Sequence, residues 1–270
     1  MKSIRVWKRN IRKELDRMSR ILAESSSSTY VAMDTEFPGF LYRTPFGASE
    51  ERRYRDMRRN VDAMKIIQLG LTFYDHEGVF KGSWEVNFRE FDPAADPHES
   101  SVQLLLDSGM DFDENKRDGA CASCFARSFY RRVLLPYRHR IKWITFHGLY
   151  DVGYAVKLLM GRPLPEGRRR FLCRVQNVLG SVYDVKYMMA CRGFNQRMGL
   201  VKLAEELDVV GAAEGRNHQA GYDSLITALS FLKLRRDGMV EDKAAGIFYG
   251  LHRCGLRRML GHYTCMSMTT

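Results

Sequence analysis

The chain predicts an α/β fold, with one mixed β-sheet flanked by α-helices. Three observations carry that expectation. The first half is rich in strand-like apolar runs, at 29–33, 65–74 and 79–88. The middle alternates, a strand at 141–147 leading directly into a helix at about 149–160. Beyond it the apolar spacing is helical as far as residue 236. Strands, then alternation, then helices imply one sheet covered by helices. A length of 270 residues suits one large domain. No repeat or linker divides it, so a single domain is expected over 1–270. Its core should span about 3–240, with a tail at 241–270 that is partly disordered.

Taken in order, Ile4, Trp7, Ile11, Leu15, Met18 and Leu22 recur at three- and four-residue steps and predict an amphipathic helix over 3–22. The serine run at 25–28 ends it, and a strand follows at 29–33. Residues 42–60 read as an arginine-rich loop. The strands 65–74 and 79–88 join through a turn around Glu77 and Gly78. The segment 89–118 is acidic and loop-like, with a short helix at about 100–107. A helix over 122–135 is expected to stop at Pro136. After the strand 141–147 and its helix, Pro163 and Pro165 break the chain. Helices then follow at about 168–179, 184–192, 199–207 and 221–236.

The formal net charge is +11, and the isoelectric point is near 9.4. That balance favours a polyanion as partner. Arginine supplies much of it, in RRYRDMRR at 52–59, RRVLLPYRHR at 131–140 and RRRFLCR at 168–174. The same runs are also read as ordinary solvated faces. No stretch approaches the roughly 20 apolar residues of a membrane span. The charged N-terminus lacks a secretory apolar block, so an intracellular protein without a membrane partner is expected. Six cysteines are present, but Cys121 and Cys124 have no second pair at zinc spacing. His252, Cys254, His262 and Cys265 do not have finger spacing either.

Asp34 and Glu36 lie two apart at the end of an apolar strand. Side chains alternate with period two, so both carboxylates project to one side. Like charges there repel unless a cation lies between them, although a strand end entering a turn at Pro38-Gly39 would read the same way. Asp151 follows the strand 141–147. Alone it is a helix cap, but the strand-to-helix edge of an open α/β sheet is also where ligands bind. Asp223 falls in the first turn of a helix, five residues after His218. Four carboxylates and one histidine suit two-metal phosphodiester hydrolysis. Hard oxygen ligands favour Mg²⁺ or Mn²⁺ as a pair of divalent ions. His218 is placed to take a proton from water.

The motifs MDTEFPG at 33–39, VDAMKIIQLGLTF at 61–73, FHGLYDVGYAVKLL at 146–159, YDVKYMM at 183–189 and HQAGYDSLITALSF at 218–231 together resemble the Caf/Pop deadenylases. These are the nuclease subunits of the Ccr–Not complex and belong to the DEDDh exonucleases. The resemblance runs in order from about Trp7 to Leu234. It implies an RNase H-like fold and a metal-dependent 3′-to-5′ exoribonuclease that shortens mRNA poly(A) tails and releases 5′-AMP. It places the metal-binding acids at Asp34, Glu36, Asp151 and Asp223 and the general base at His218. It further implies docking to the Not scaffold, and in some members to a second deadenylase, in cytoplasm and nucleus. Two positions depart from the family pattern. Gly148-Leu149 stands where Ser-Gly is usual, and Tyr222 where a serine is usual.

Two other readings are carried forward. One is a catalytically weak or inactive RNA-binding or scaffold subunit, which the departures favour. The other is a DEDDh exonuclease acting on DNA, since the same metal chemistry cuts both polymers. Phe37 is read equally as a base-stacking RNA contact or as core. Asp184 is read as a helix cap, and Phe146 and His147 as packing and strand end. Met188, Met189 and Met198 are read as core fillers, and the acidic residues from Asp107 to Glu114 as a solvated loop.

Overall fold

The computed structural model describes residues 1–97, 101–193, 195, 197–240 and 242–252. The elements are β1 (Ile4–Val6), α1 (Ile11–Glu24), β2 (Thr29–Glu36), α2 (Glu50–Ala63), β3 (Gln68–Tyr74), β4 (Phe80–Asn87), α3 (Ser101–Asp107), α4 (Phe112–Asp118) and α5 (Ala122–Phe129). There follow α6 (Leu135–Tyr137), β5 (Ile141–Thr145), α7 (Leu149–Met160), α8 (Arg168–Val178), β6 (Val182–Asp184), α9 (Val185–Cys191), α10 (Leu200–Glu206) and α11 (Ala220–Arg236).

The strands form one six-stranded sheet in the order β1-β4-β3-β2-β5-β6. β2, β3 and β4 are antiparallel neighbours, while β2–β5, β5–β6 and β1–β4 pair in parallel. β2 is therefore central, held by β3 on one side and β5 on the other. The larger core includes Met18, Leu22, Val31, Leu71, Trp84, Trp143 and Val152. A second apolar cluster joins Ala32, Tyr74 and Ile144 of the sheet to Ala228, Phe231 and Leu232 of α11. α11 is buried on most of its circumference, with Leu225, Ile226, Ala228 and Phe231 among its buried residues. Leu229 is only partly buried in that second cluster.

The structure corrects several local expectations. The helix expected over 3–22 is a short strand, a turn and then α1. Asn10 forces the break. Its side chain accepts from Trp7 N at 2.7 Å and donates to Arg5 O at 2.9 Å, so the chain reverses before α1 begins. The arginine-rich loop expected over 42–60 contains most of α2. Ser49 caps it by accepting from Arg52 N at 3.2 Å, and Tyr54, Met57 and Val61 form its buried stripe. Arg52 pairs with the buried Asp56, and Arg58 with Asp62, at i,i+4 spacing along the helix.

The acidic run also holds a helix, α4, capped by Asp111 accepting from Glu114 N at 2.8 Å. Pro136 does not stop the helix expected over 122–135. The chain widens into a π turn over Tyr130–Leu134 and continues through α6. β6 was not expected. Asp184 caps α9, as read, and Met188 and Met189 are buried while Met198 packs at the core's edge. Residues 242–252, within the expected tail, are packed against the fold. Phe248 and Leu251 are fully buried, and Gly246 N donates to Val182 O at 2.7 Å. Cys254, His262 and Cys265 lie outside the described residues. Among the described residues no helix is long and apolar enough to cross a membrane.

Candidate active site

The register of β2 sets the first two acids. Asp34 stands opposite Gly70 and Glu36 opposite Gln68 on β3. Thr35 between them reaches Asp151, whose Oδ1 accepts from Thr35 N at 2.8 Å and from Thr35 Oγ1 at 2.6 Å. Asp151 is delivered by the sharp bend between β5 and α7. His147 takes a left-handed backbone there, with φ 58°. A Cβ on Gly148 would lie 2.1 Å from the Thr145 side chain, so that position requires glycine.

The last acid arrives on α11, which is seated directly on the sheet. A Cβ on Gly70 would fall 1.7 Å from Ala220 O. The contact is completed by Ala220 N donating to Gln68 Oε1 at 3.2 Å. Gly221 is also closely packed, its missing Cβ 2.8 Å from Ser3 Cβ and 2.9 Å from Glu85 Cβ. The chain's first residues brace the loop before this helix. Lys2 bridges to Glu214, and Glu214 N donates to Met1 O at 2.7 Å. One turn further, Asp223 Oδ2 accepts from His218 N at 3.1 Å, and Asp223 Oδ1 is buried with no hydrogen-bond partner. His218 is exposed and adopts φ 61°.

Asp34, Glu36, Asp151, Asp223, His218 and Phe37 all face one open cleft of about 710 Å³. Ligand atoms of Glu36, His218 and Asp223 lie within 4.8 Å of one another. Burial is the largest influence on each acid. It and the neighbouring charges of Asp151, Asp223 and Glu36 hold Asp34 well above the carboxylate range. Glu36 is raised in the same way, by burial and by Asp223, Asp151 and Glu85. Asp151 is pushed up to about 7 by burial, against the lowering effect of its Thr35 hydrogen bonds. Asp223 is also pushed up to about 7, by burial and the nearby Asp151 and Glu85, against the hydrogen bond from His218 N. Mutually repelling buried carboxylates and an orphaned carboxylate oxygen are the donor set of a hard divalent cation. The residues present fit such ions.

Sequence reasoning missed Glu85. It is buried in β4 opposite Gly70, with Arg5 Nε at 3.6 Å and a backbone hydrogen bond from Gly221. A glutamate between Trp84 and Val86 in an apolar strand was the available signal. It also missed the cleft roles of Phe146 and His147, expected as packing and strand end. Both line the cleft, because the left-handed turn at His147 directs the chain along its wall. Phe37 packs against the core, stacking on Tyr150 and Tyr154 at centroid distances of 5.4 and 4.9 Å, and it also lines the cleft. The two departures separate. Leu149 lines the cleft. Tyr222 packs with Ala204 and Ile226, and its ring covers Gly215.

A mixed sheet with paired acids on its central strand, completed by acids from two helix starts and by a histidine, defines the RNase H-like fold of the DEDDh nucleases. Within that class the chain belongs to the CAF1 ribonuclease family, whose sequence pattern matches residues 6–121 and 131–231. It is similar to a probable CCR4-associated factor 1 homolog of Arabidopsis thaliana, 36% identical over 258 residues, spanning 93% of this chain and 69% of the relative. Among solved structures it is similar to S. pombe Pop2p in its Mg²⁺- and Mn²⁺-bound form. That match has 32% identity and a TM-score of 0.83, over 92% of this chain and 99% of the other. It is also similar to a chain of the yeast NOT1 MIF4G domain–CAF1 co-crystal structure, at 25% identity and a TM-score of 0.74, over 92% and 96% of the two chains.

Proposed function

We propose that this protein is a divalent-metal-dependent 3′-to-5′ exoribonuclease that shortens poly(A) tails and releases 5′-AMP. The carrying observation is the convergence of four carboxylates and His218 on one cleft, with a buried Asp223 oxygen left unpartnered. Asp34, Glu36, Asp151 and Asp223 would hold two ions of Mg²⁺ or Mn²⁺. Bound there, the ions supply Lewis-acid stabilisation of the charge that develops on phosphodiester cleavage. Thr35 orients Asp151, and Glu85 holds the first turn of α11 through Gly221. His218 stands on an exposed loop, where it can take the proton of an attacking water and return it to solvent. The metal-bound Pop2p structure supports the choice of ions. The NOT1–CAF1 structure supports a Not scaffold as partner. Cytoplasm and nucleus are proposed as its places of action.

One observation favours a weaker enzyme that acts mainly as an RNA-binding subunit, namely the bulky Leu149 in the cleft wall. A single experiment separates the readings. A 5′-labelled RNA ending in an A-tract is incubated with Mg²⁺ and wild type or Asp34→Ala. A ladder shortening from the 3′ end, stalling before other bases and absent in the variant, is the expected result. RNA binding without shortening in either Mg²⁺ or Mn²⁺ would replace it with the binding-subunit reading.

A further inference from the structure

The recognisable family pattern stops at residue 231, yet the cleft is finished by chain beyond it. Residues 246–252 run back across the sheet edge. Phe248 and Leu251 are fully buried, and Tyr249 N donates to Asp184 Oδ2 at 2.9 Å. The other oxygen of Asp184 accepts from His147 N, also at 2.9 Å. One buried carboxylate thus ties this strap to the bend that precedes Asp151. The strap brings the Tyr249 ring edge-on to His147, with centroids 5.0 Å apart. Lys186 Nζ lies 5.2 Å from the Tyr249 ring centre and 5.5 Å from that of Phe146. All four side chains line the same cleft as the acids.

Two aromatic rings with an ammonium group between them combine the elements of single-strand recognition. The rings offer stacking faces to a base, and the cation a partner to a phosphate. The charge of Lys186 is met by the aromatic faces and, at longer range, by Asp184, which already accepts four backbone N–H groups. We propose that the strap 246–252 is part of the substrate site, and that Tyr249, Phe146 and Lys186 form a subsite for a second nucleotide of the strand, beside the one being removed. This rests on the nuclease reading above.

The test uses the full chain in EDTA, where binding is read without cleavage. Tyr249→Ala and Lys186→Ala are compared with wild type for anisotropy of a labelled A-tract RNA, and for competition by 5′-AMP. Thermal unfolding is recorded in parallel. Each variant should bind the RNA about tenfold more weakly, the size of one lost base–aromatic stack or phosphate contact, while 5′-AMP competes as with wild type. Lys186→Ala should also flatten the slope of log affinity against log salt by about 0.7, the release expected for one single-strand phosphate contact. Tyr249→Phe, which keeps the ring, should bind like wild type. Unchanged RNA affinity in both alanine variants would overturn the proposal. So would equal weakening for 5′-AMP and RNA, which would make these residues part of the terminal-nucleotide site. Failure of the wild type to shorten the same RNA in a parallel reaction with Mg²⁺ would instead overturn the nuclease reading.

Discussion

Removing divalent ions should invert the ordinary pH dependence of stability at this site. Asp151 and Asp223 have pKa values raised from 3.8 to about 7 in the fold. Between those values the native protein keeps protons that the unfolded chain has released. The native state therefore binds more protons, and unfolding free energy falls as pH rises through that window. Three units at about 1.36 kcal/mol each give roughly 4 kcal/mol for either residue taken alone. The two do not simply add, because Asp151 itself contributes to raising Asp223. Divalent ions bind the deprotonated native site, so their stabilisation grows with pH. The assay is urea unfolding at about pH 5 and about pH 8, in EDTA and in Mg²⁺, for wild type and Asp223→Asn. Comparison with the variant isolates the site from the histidines. In EDTA the variant should gain on wild type by roughly 2–4 kcal/mol between the two pH values, and Mg²⁺ should stabilise only the wild type strongly. If Asp223→Asn is less stable than wild type at the higher pH in EDTA, the reasoning from buried carboxylate repulsion is wrong.

Other outcomes follow from packing. Gly70→Ala should cut nuclease activity at least about a hundredfold, because its methyl group collides with the Ala220 carbonyl and lifts the helix carrying Asp223; steady-state RNA degradation and Mn²⁺ titration both read this. Tyr222→Ser should cost about 3 kcal/mol in urea unfolding, since the buried ring fills the space between Ala204, Ile226 and Gly215; activity per folded molecule should hold to within a few-fold. Asp184→Ala should destabilise by at least about 3 kcal/mol, having left four backbone donors without their acceptor, whereas Asp184→Asn, which keeps an acceptor oxygen, should recover a large part of it. His218→Ala should lower kcat by about a hundredfold to ten-thousandfold while leaving the RNA dissociation constant near wild type.

The carboxylates were legible because each sits where a strong local pattern ends. Asp34 and Glu36 close an apolar strand, Asp151 opens a helix directly after one, and Asp223 opens the longest amphipathic run. Their convergence was suggested by the strand-to-helix edge at Asp151 and completed by the family motifs, since strand order is not written in any window of sequence. The misreadings share another cause. In α2, eight of the residues from 50 to 59 are charged, which concealed Tyr54 and Met57 on the inner face. β1 and β6 are three residues each, too short for alternation to register, and exist because a neighbouring strand offers hydrogen bonds. The strap 246–252 has only Phe248 and Leu251 as deep anchors, so no periodic pattern could announce it. Glu85 reached the acids through the register of β4 on β3, a long-range fact.

The bracing of the site by both ends of the described chain carries a consequence for biosynthesis. Residues 1–3 support the segment from 212 to 221, more than two hundred positions later, and the strap comes from 246–252. Contacts so distant in sequence form late and pay the largest loop-closure cost. During translation the sheet strands that carry Asp34, Glu36 and the bend before Asp151 emerge long before Asp223, His218 and the strap. A nascent chain therefore lacks a complete cleft until residue 252 has left the ribosome, long after the strands that carry Asp34 and Glu36 have done so.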